Sequence, residues 1–178
     1  PNIPAYGNPL VMLRSLVINP SLVMGPAIGG KPSSESFSIL QQAGNGDFKT
    51  GAPRLGFGVV DVREVAEAHL AAAFTPEANS RNIISGHNTI FLEVLLTLRD
   101  RFGKDYGLPK GAAPKFLVWM IAPFVGLERK FVSRNANHAW KADNSKSIRE
   151  LSLTYRPMKE TMEDMFQYMI DAGYFKKK

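Results

Sequence analysis

Phe57-Gly58-Val59-Val60-Asp61-Val62-Arg63-Glu64-Val65-Ala66-Glu67-Ala68-His69 changes its period in mid-course, and that change decides the fold. Phe57 to Val60 is short and rich in β-prone residues, as a strand requires. Asp61 and Glu64 then stand at the spacing of a capping box. In that motif Asp61 accepts from first-turn amides and Glu64 reaches back to the Asp61 amide. A helix is therefore predicted from Val62 to about Ala73. A strand delivered straight into a capped helix is one step of an alternating α/β pattern.

The pattern extends outward on both sides. Upstream, Leu10 to Ile18 is apolar and Asn19-Pro20 ends the run, which predicts a strand at Arg14 to Ile18 buried on both faces. Gly25 to Pro32 is a loop by composition, and Ser33-Ser34-Glu35-Ser36 leads into a short serine-capped helix over Phe37 to Gln42. Downstream, Asn82 to Ser85 reads as a third strand. Asn88 or Thr89 then caps a helix in which Phe91, Leu92, Leu95, Leu98 and Phe102 recur at helical spacing, ending near Gly103. Beyond Pro109 every element reads as helical: Pro114 to Leu127, Ser145 to Leu151 capped by Asn144, and Met158 to Ala172 stopped by Gly173. Strands come first and helices last, and the expected boundary near Gly103 to Ala113 divides residues 1–103 from 104–178.

Composition narrows the function classes. The chain has 178 residues, room for one domain and a little more, and its 44% hydrophobic and 21% charged residues are those of an ordinary globular protein. The absence of cysteine excludes a disulfide scaffold, a thiol nucleophile, a zinc ribbon and an iron–sulfur cluster, and agrees with a cytoplasmic or organelle-interior location. The net charge of +6 is scattered, and the one tight run, Lys176 to Lys178, reads as a solvated tail. No basic stripe interleaved with aromatics is present, so nucleic acid is not an expected partner. Pro1 to Pro9 does not resemble a signal peptide. The longest apolar run, Phe116 to Leu127, has 12 residues and contains Pro123 and Gly126, too short for a transmembrane span. A buried helix is expected there, with Trp119 and Phe124 beside Glu128, Arg129 and Lys130 forming an amphipathic edge for peripheral membrane or partner contact.

Most familiar catalytic motifs fail on inspection. Gly25-x4-Gly30-Lys31 follows a strand as a phosphate-binding loop should, but Pro32 replaces the hydroxyl residue that holds magnesium and Pro26 removes an amide from the cradle. Tyr-x3-Lys occurs at Tyr106–Lys110 and Tyr155–Lys159, each time with a proline inside the pair (Pro109, Pro157) that bars it from a regular helix interior. There is no Gly-x-Ser-x-Gly elbow. His69, His87 and His138 are too far apart for a local metal motif, and His69 is expected to bond within its own helix. Glu160, Glu163 and Asp164 are expected to face solvent. No catalytic or metal-binding residue is assigned.

At Ile18-Asn19-Pro20-Ser21-Leu22-Val23-Met24-Gly25-Pro26 the sequence resembles the extended short-chain dehydrogenase/reductase family (NAD-dependent epimerase/dehydratase type), in its dihydroflavonol-reductase-like or aldehyde-reductase-like branch. The Phe57–His69 block is similar to the family's VDVRDVAxAH signature, and Arg81 to Ser85 to its GRYI-S strand. Asp143-Asn144-Ser145-Lys146, Glu150-Leu151 and Leu153-Thr154-Tyr155-Arg156-Pro157 resemble its DNSK…ELGL-x-YRP ending, with Ser152 in place of the usual glycine. In that family the glycine-rich turn, the catalytic serine and the Tyr-x3-Lys pair precede the strand corresponding to Arg14–Ile18, and Pro1 to Leu13 matches none of them.

The resemblance thus covers the C-terminal half of the family's fold. It implies a partial Rossmann-like α/β unit, the late strands of a mostly parallel sheet, with a largely helical substrate-type region. It also implies NADP or NAD as cofactor, with Pro20, Ser21, Leu22 and Val23 against the nicotinamide and Ser33 or Ser34 near the phosphates. Asp61, Arg63 and His69 are expected to be structural, Asp61 as cap and the others fixing the helix against the sheet. Such a half would leave an open sheet edge and an apolar face for a protein partner or an N-terminal half to cover. Two functions follow from the resemblance. One is half of an NAD(P)H-dependent aldehyde or ketone reductase, inactive alone; the other is a non-catalytic remnant serving as an accessory subunit of a larger assembly.

Overall fold

A computed structural model describes residues 16–76, 78–125 and 128–175, without the side chains of residues 124 and 125. The start of the expected first strand at Arg14, the end of the apolar run at Leu127, the Phe124 part of the amphipathic edge and the lysine tail lie outside what is described. Among the described residues five strands, β1 (Leu16–Pro20), β2 (Leu22–Met24), β3 (Gly56–Asp61), β4 (Ser80–Ile84) and β5 (His87–Ile90), all precede residue 91. Interleaved with them are α1 (Glu35–Asn45) and α2 (Val62–Phe74). Six helices follow: α3 (Phe91–Leu96), α4 (Arg99–Phe102), α5 (Lys115–Ile121), α6 (Arg129–Asn135), α7 (Ser145–Leu151) and α8 (Met158–Asp171).

β1 pairs in parallel with β4, from Leu16 opposite Ser80 to Pro20 opposite Ile84. The second sheet has the order β2-β3-β5, parallel between β2 and β3 and antiparallel between β3 and β5. Only Ser21 separates β1 from β2, so the chain passes from one sheet to the other within a single residue.

β1 is not buried on both faces. Leu16 and Ile18 turn toward α2, whereas Val17 and, on β4, Ile83 are each 40% exposed on the opposite face. Among the described residues only β4 pairs with β1, and one layer, α2 with α7, covers the pair. Further differences from the sequence reading have local causes. Ser34 stands at the N-cap of α1 without a side-chain cap bond. Asn88 and Thr89 cap nothing, because they lie in β5, where Thr89 Oγ1 donates to Glu93 and Asn88 bonds both ways with the Ala142 backbone. The helix from Phe91 breaks into α3 and α4 at Thr97, whose hydroxyl donates to the Val94 carbonyl, a back-bond that competes with the helix ladder. α5 tightens into a 3₁₀ turn over Ala122–Val125, where Pro123 removes a helical donor. The described part of the apolar run is also not a buried helix: of residues 116–123 only Val118 and Ala122 are buried, and Phe116 is 67% exposed.

The main core gathers α1, α3, α4 and α8 against β3. On α8 the recurrence of Met162, Met165, Phe166 and Met169 at helical spacing puts four fully buried side chains on one stripe, each stabilising by roughly 1.5–3 kcal/mol before entropy is charged. A second core lies between β1–β4 and α2, and a third, of Val118, Ala122, Val132 and Ala136, joins α5 to α6.

A polar knot locks α2 to α8. The capping box forms as the spacing predicts: Asp61 Oδ1 accepts from the Arg63 amide at 2.8 Å, and Glu64 Oε2 accepts from the Asp61 amide at 3.2 Å. The Arg63 guanidinium holds Asp61 through both carboxylate oxygens, at 2.9 and 2.8 Å, and donates to Asp164 of α8 at 2.9 Å. Glu64, 2% exposed, accepts from the Arg156 amide at 2.6 Å and from its Nε at 3.3 Å. Asp164 and Glu163 are therefore not simply solvent-facing: Glu163 lies between Arg101 at 3.6 Å and Lys159 at 3.8 Å. Burial alone would raise the Asp61 carboxyl, but hydrogen bonds from the Arg63 side chain and amide and from Thr161 outweigh it and hold Asp61 below the usual carboxylate range.

Because Asp61 titrates lower folded than unfolded, its stabilisation is complete above about pH 4 and is lost as pH falls through the lowered folded value. Asp61→Asn should cost about 2–3 kcal/mol at neutral pH, discounted for the partial exposure of Arg63. Urea denaturation should show this gap from the parent protein narrowing below pH 4.

Candidate functional site

The two sheets part at a fork. Pro20 has no N–H to extend the ladder, and the next amide, of Ser21, donates to the Ile84 carbonyl at 3.0 Å. Leu22 and Val23 then pair with Val59 and Val60 of β3. Across from them the chain leaves β4 through Ser85 and Gly86, whose amide donates to the Val59 carbonyl at 2.8 Å. β3 thus bridges the two exits, and a parting of this kind is where open α/β sheets characteristically bind ligands. The Ser21 and Ser85 hydroxyls, one on each exit, are buried without a hydrogen-bond partner in the structure. An unsatisfied buried hydroxyl costs about 1–3 kcal/mol, so such a pair fits a polar ligand group or water better than a closed core.

Pro20, Ser21, Leu22 and Val23 come together at this fork, as contiguity requires. Ser33 and Ser34 lie on the exposed start of α1. The serine that ties this helix to the fork is Ser36, which sequence reasoning passed over: its Oγ donates to the Val23 carbonyl at 2.6 Å. Ser33 instead borders a groove of about 260 Å³ with Lys31, Gln41 and Tyr174. That groove is tied to the chain's end, since Lys31 Nζ donates to the Gly173 carbonyl at 3.2 Å and Tyr174 to that of Pro32 at 2.9 Å.

A second polar cluster lies behind the fork. Asn144 does not cap α7; its side chain donates to the Ser85 carbonyl at 2.7 Å. Ser147 donates to the Asn144 carbonyl at 2.7 Å and meets the Tyr155 hydroxyl at 2.8 Å. A serine beside a tyrosine invites a catalytic reading, and the electrostatics reject it. Burial raises Tyr155 above its ordinary value, outweighing its hydrogen bonds with Ser147 and Ser85, whereas a tyrosine acid needs a neighbouring cation to lower it. Lys159 is turned away, with Nζ on Asp100 at 3.0 Å. Tyr106 packs edge-to-face against Phe166 and Phe175. Neither Tyr-x3-Lys spacing forms a proton relay.

The histidines are dispersed. His69 Nδ1 bonds the Val65 carbonyl of its own helix at 2.7 Å, as its position suggested, and borders a cavity of about 420 Å³ between Leu16, Ile18 and the end of α2. His87 Nε2 bonds the Arg156 carbonyl at 2.8 Å. Among the described residues no cluster could hold a metal ion, and no helix is long and apolar enough to cross a membrane.

Mostly parallel strands in two small sheets that part at a fork, followed by a helical C-terminal portion, are part of a Rossmann-like fold. No family model matches the chain. It is 33% identical over 92 residues to the tetraketide alpha-pyrone reductase 2 of Arabidopsis thaliana, covering 51% of this chain and 27% of that protein. It is 27% identical over 157 residues to an uncharacterised oxidoreductase of Schizosaccharomyces pombe, covering 85% of this chain and 40% of that one. Among solved structures it resembles the yeast methylglyoxal/isovaleraldehyde reductase Gre2 complexed with NADPH, with a TM-score of 0.63, 27% identity, and coverage of 88% of this chain and 43% of that. These homologues and structural neighbours are of the extended short-chain dehydrogenase/reductase type, to which this chain is related. The chain spans less than half the length of these three relatives.

Tyr155→Phe should cost about 1 kcal/mol by removing the bond to Ser147. Since Tyr155 titrates higher folded than unfolded, its contribution is complete below about pH 10 and is lost as pH rises through the raised folded value. Absorbance titration at alkaline pH should lose one late-ionising tyrosine in the variant.

Proposed function

We propose that this chain supplies one wall of the active site of an NAD(P)H-dependent aldehyde or ketone reductase, the remainder being contributed by polypeptide outside the described residues. The observation that carries the reading is the fork at Ser21, where a buried hydroxyl without a partner stands beside backbone that resembles the family's nicotinamide-contacting segment. Pro20, Ser21, Leu22 and Val23 orient the nicotinamide, and Ser33 and Ser34 face the phosphate side of NADP or NAD. When bound, the cofactor supplies the hydride that reduces the carbonyl. This chain's own residues bind, orient and exclude water. The proton must come from elsewhere, because neither Tyr155 nor Tyr106 has a lysine in place to lower its pKa.

The edge of β1 that is unpaired among the described residues, and the exposed face bearing Val17 and Ile83, receive the complementary segment, which continues the sheet. Residues 1–103 carry the cofactor-side α/β unit with interleaved substrate-side segments, and residues 104–178 the mainly helical substrate-side region.

Titration of NADPH, followed by its fluorescence, tests this. The chain alone should show no saturation below about 1 mM. Adding the glycine-rich first half of a related reductase should restore binding, and Ser21→Val should weaken the restored affinity about tenfold. Saturable, tight binding with turnover by the isolated monomer would refute the half-site reading. Failure of every added first half to restore binding would favour a non-catalytic accessory role.

A further inference from the structure

We propose that the α5–α6 hairpin is a docking surface for an anionic phospholipid membrane. Val118 of α5, Ala122 just beyond it, Val132 of α6 and Ala136 at its end pack on one another, and this seam uses up the inward side of both helices. On the rest of α5, Phe116, Leu117, Met120 and Ile121 are all more than 40% exposed; at 100° per residue they form a continuous stripe facing away from the seam. Phe131 of α6 is exposed too, flanked by exposed Lys130 and Arg134. Large apolar side chains grouped this closely mark an interaction surface.

Charge selects the occupant. Residues 110–141 contain six Lys or Arg and a single Glu, a net of +5 out of the chain's +6. Arg129 lies over the Trp119 ring at 4.6 Å, and Lys115 Nζ donates to the Ser133 and Ala136 carbonyls at 3.0 and 3.1 Å. Among the described residues, none of Lys115, Arg129, Lys130, Arg134 and Lys141 pairs with a carboxylate, while cations elsewhere, such as Arg63, Arg156 and Lys159, do. An apolar, aromatic stripe in a basic surround is the composition of a helix that lies in a membrane interface, its aromatics among acyl chains and its cations at lipid phosphates. α5 has seven residues, about 10 Å of helix, so it lies on the bilayer and does not cross it. A second copy of this chain is a poorer occupant, because face-to-face contact would bring two clusters of like charge together.

The test is co-sedimentation of the full chain with phosphatidylcholine vesicles, with and without phosphatidylserine, alongside Trp119 emission in a Trp140→Phe background. Binding should be at least about tenfold stronger with phosphatidylserine, weaken as salt is raised, and shift Trp119 emission to the blue. Lys130→Glu with Arg134→Glu should lower it about tenfold or more, and Phe116→Ser with Met120→Ser should abolish it. Both variants alter exposed side chains and should keep the parent's circular dichroism and urea midpoint. Equal binding to the two vesicle types, no binding, or undiminished binding by the charge-reversed variant would overturn the proposal. So would a dimer in light scattering that Phe116→Ser dissolves, which would assign the face to a second copy.

Discussion

Two buried carboxylates hold this molecule together. Asp61 and Glu64, each 2% exposed, sit at the junction of β3 and α2, where a charge without a partner would cost several kcal/mol. Each is satisfied by an arginine from a different direction: Arg63 within the same helix and Arg156 from the segment entering α8. Because Arg63 continues to Asp164 and Arg156 to Glu160, the same charges fix the last helix of the chain against the strand-to-helix step. The methionine stripe of α8 provides burial free energy without much direction, since apolar contact is weakly oriented. The carboxylates set the angle at which that stripe arrives.

That placement makes the fork. With α8 and α1 packed on one side of β2–β3 and α2 and α7 on one side of β1–β4, the strands part where Pro20 interrupts the ladder. The parting leaves the Ser21 and Ser85 hydroxyls buried without bonds, a local cost that a ligand group can relieve. The opposite face of β1–β4 carries Val17 and Ile83 into the open and β1 keeps an unpaired edge among the described residues, so the geometry suits a wall awaiting its other half. The basic hairpin of α5 and α6 is separate from the fork in both composition and core.

Much of this was legible in the residues. The change from strand to capped helix at Asp61 needs only local backbone chemistry, and β3, α2 and the capping box form where the spacing puts them. The methionine-rich period of α8 and its stop at Gly173, with φ of 67°, are also local. By contrast β2 is three residues long and β5 reads His-Asn-Thr-Ile, too short and too polar to declare themselves; both exist because β3 offers each a ladder. Ser33 and Ser34 drew notice by composition, yet Ser36 makes the bond to Val23, and only the approach of α1 to β2 distinguishes them.

The sequence by itself determined the alternating strand and helix steps, the order of strands before helices, and the kinship with extended short-chain dehydrogenases, because periods, caps and contiguous motifs are properties of neighbouring residues. Tertiary structure alone decided which side of each element is covered. It left one face of β1 bare and turned most of an apolar run outward on α5, because burial depends on which other elements arrive to pack, and that is a matter of distant contacts a local pattern does not encode.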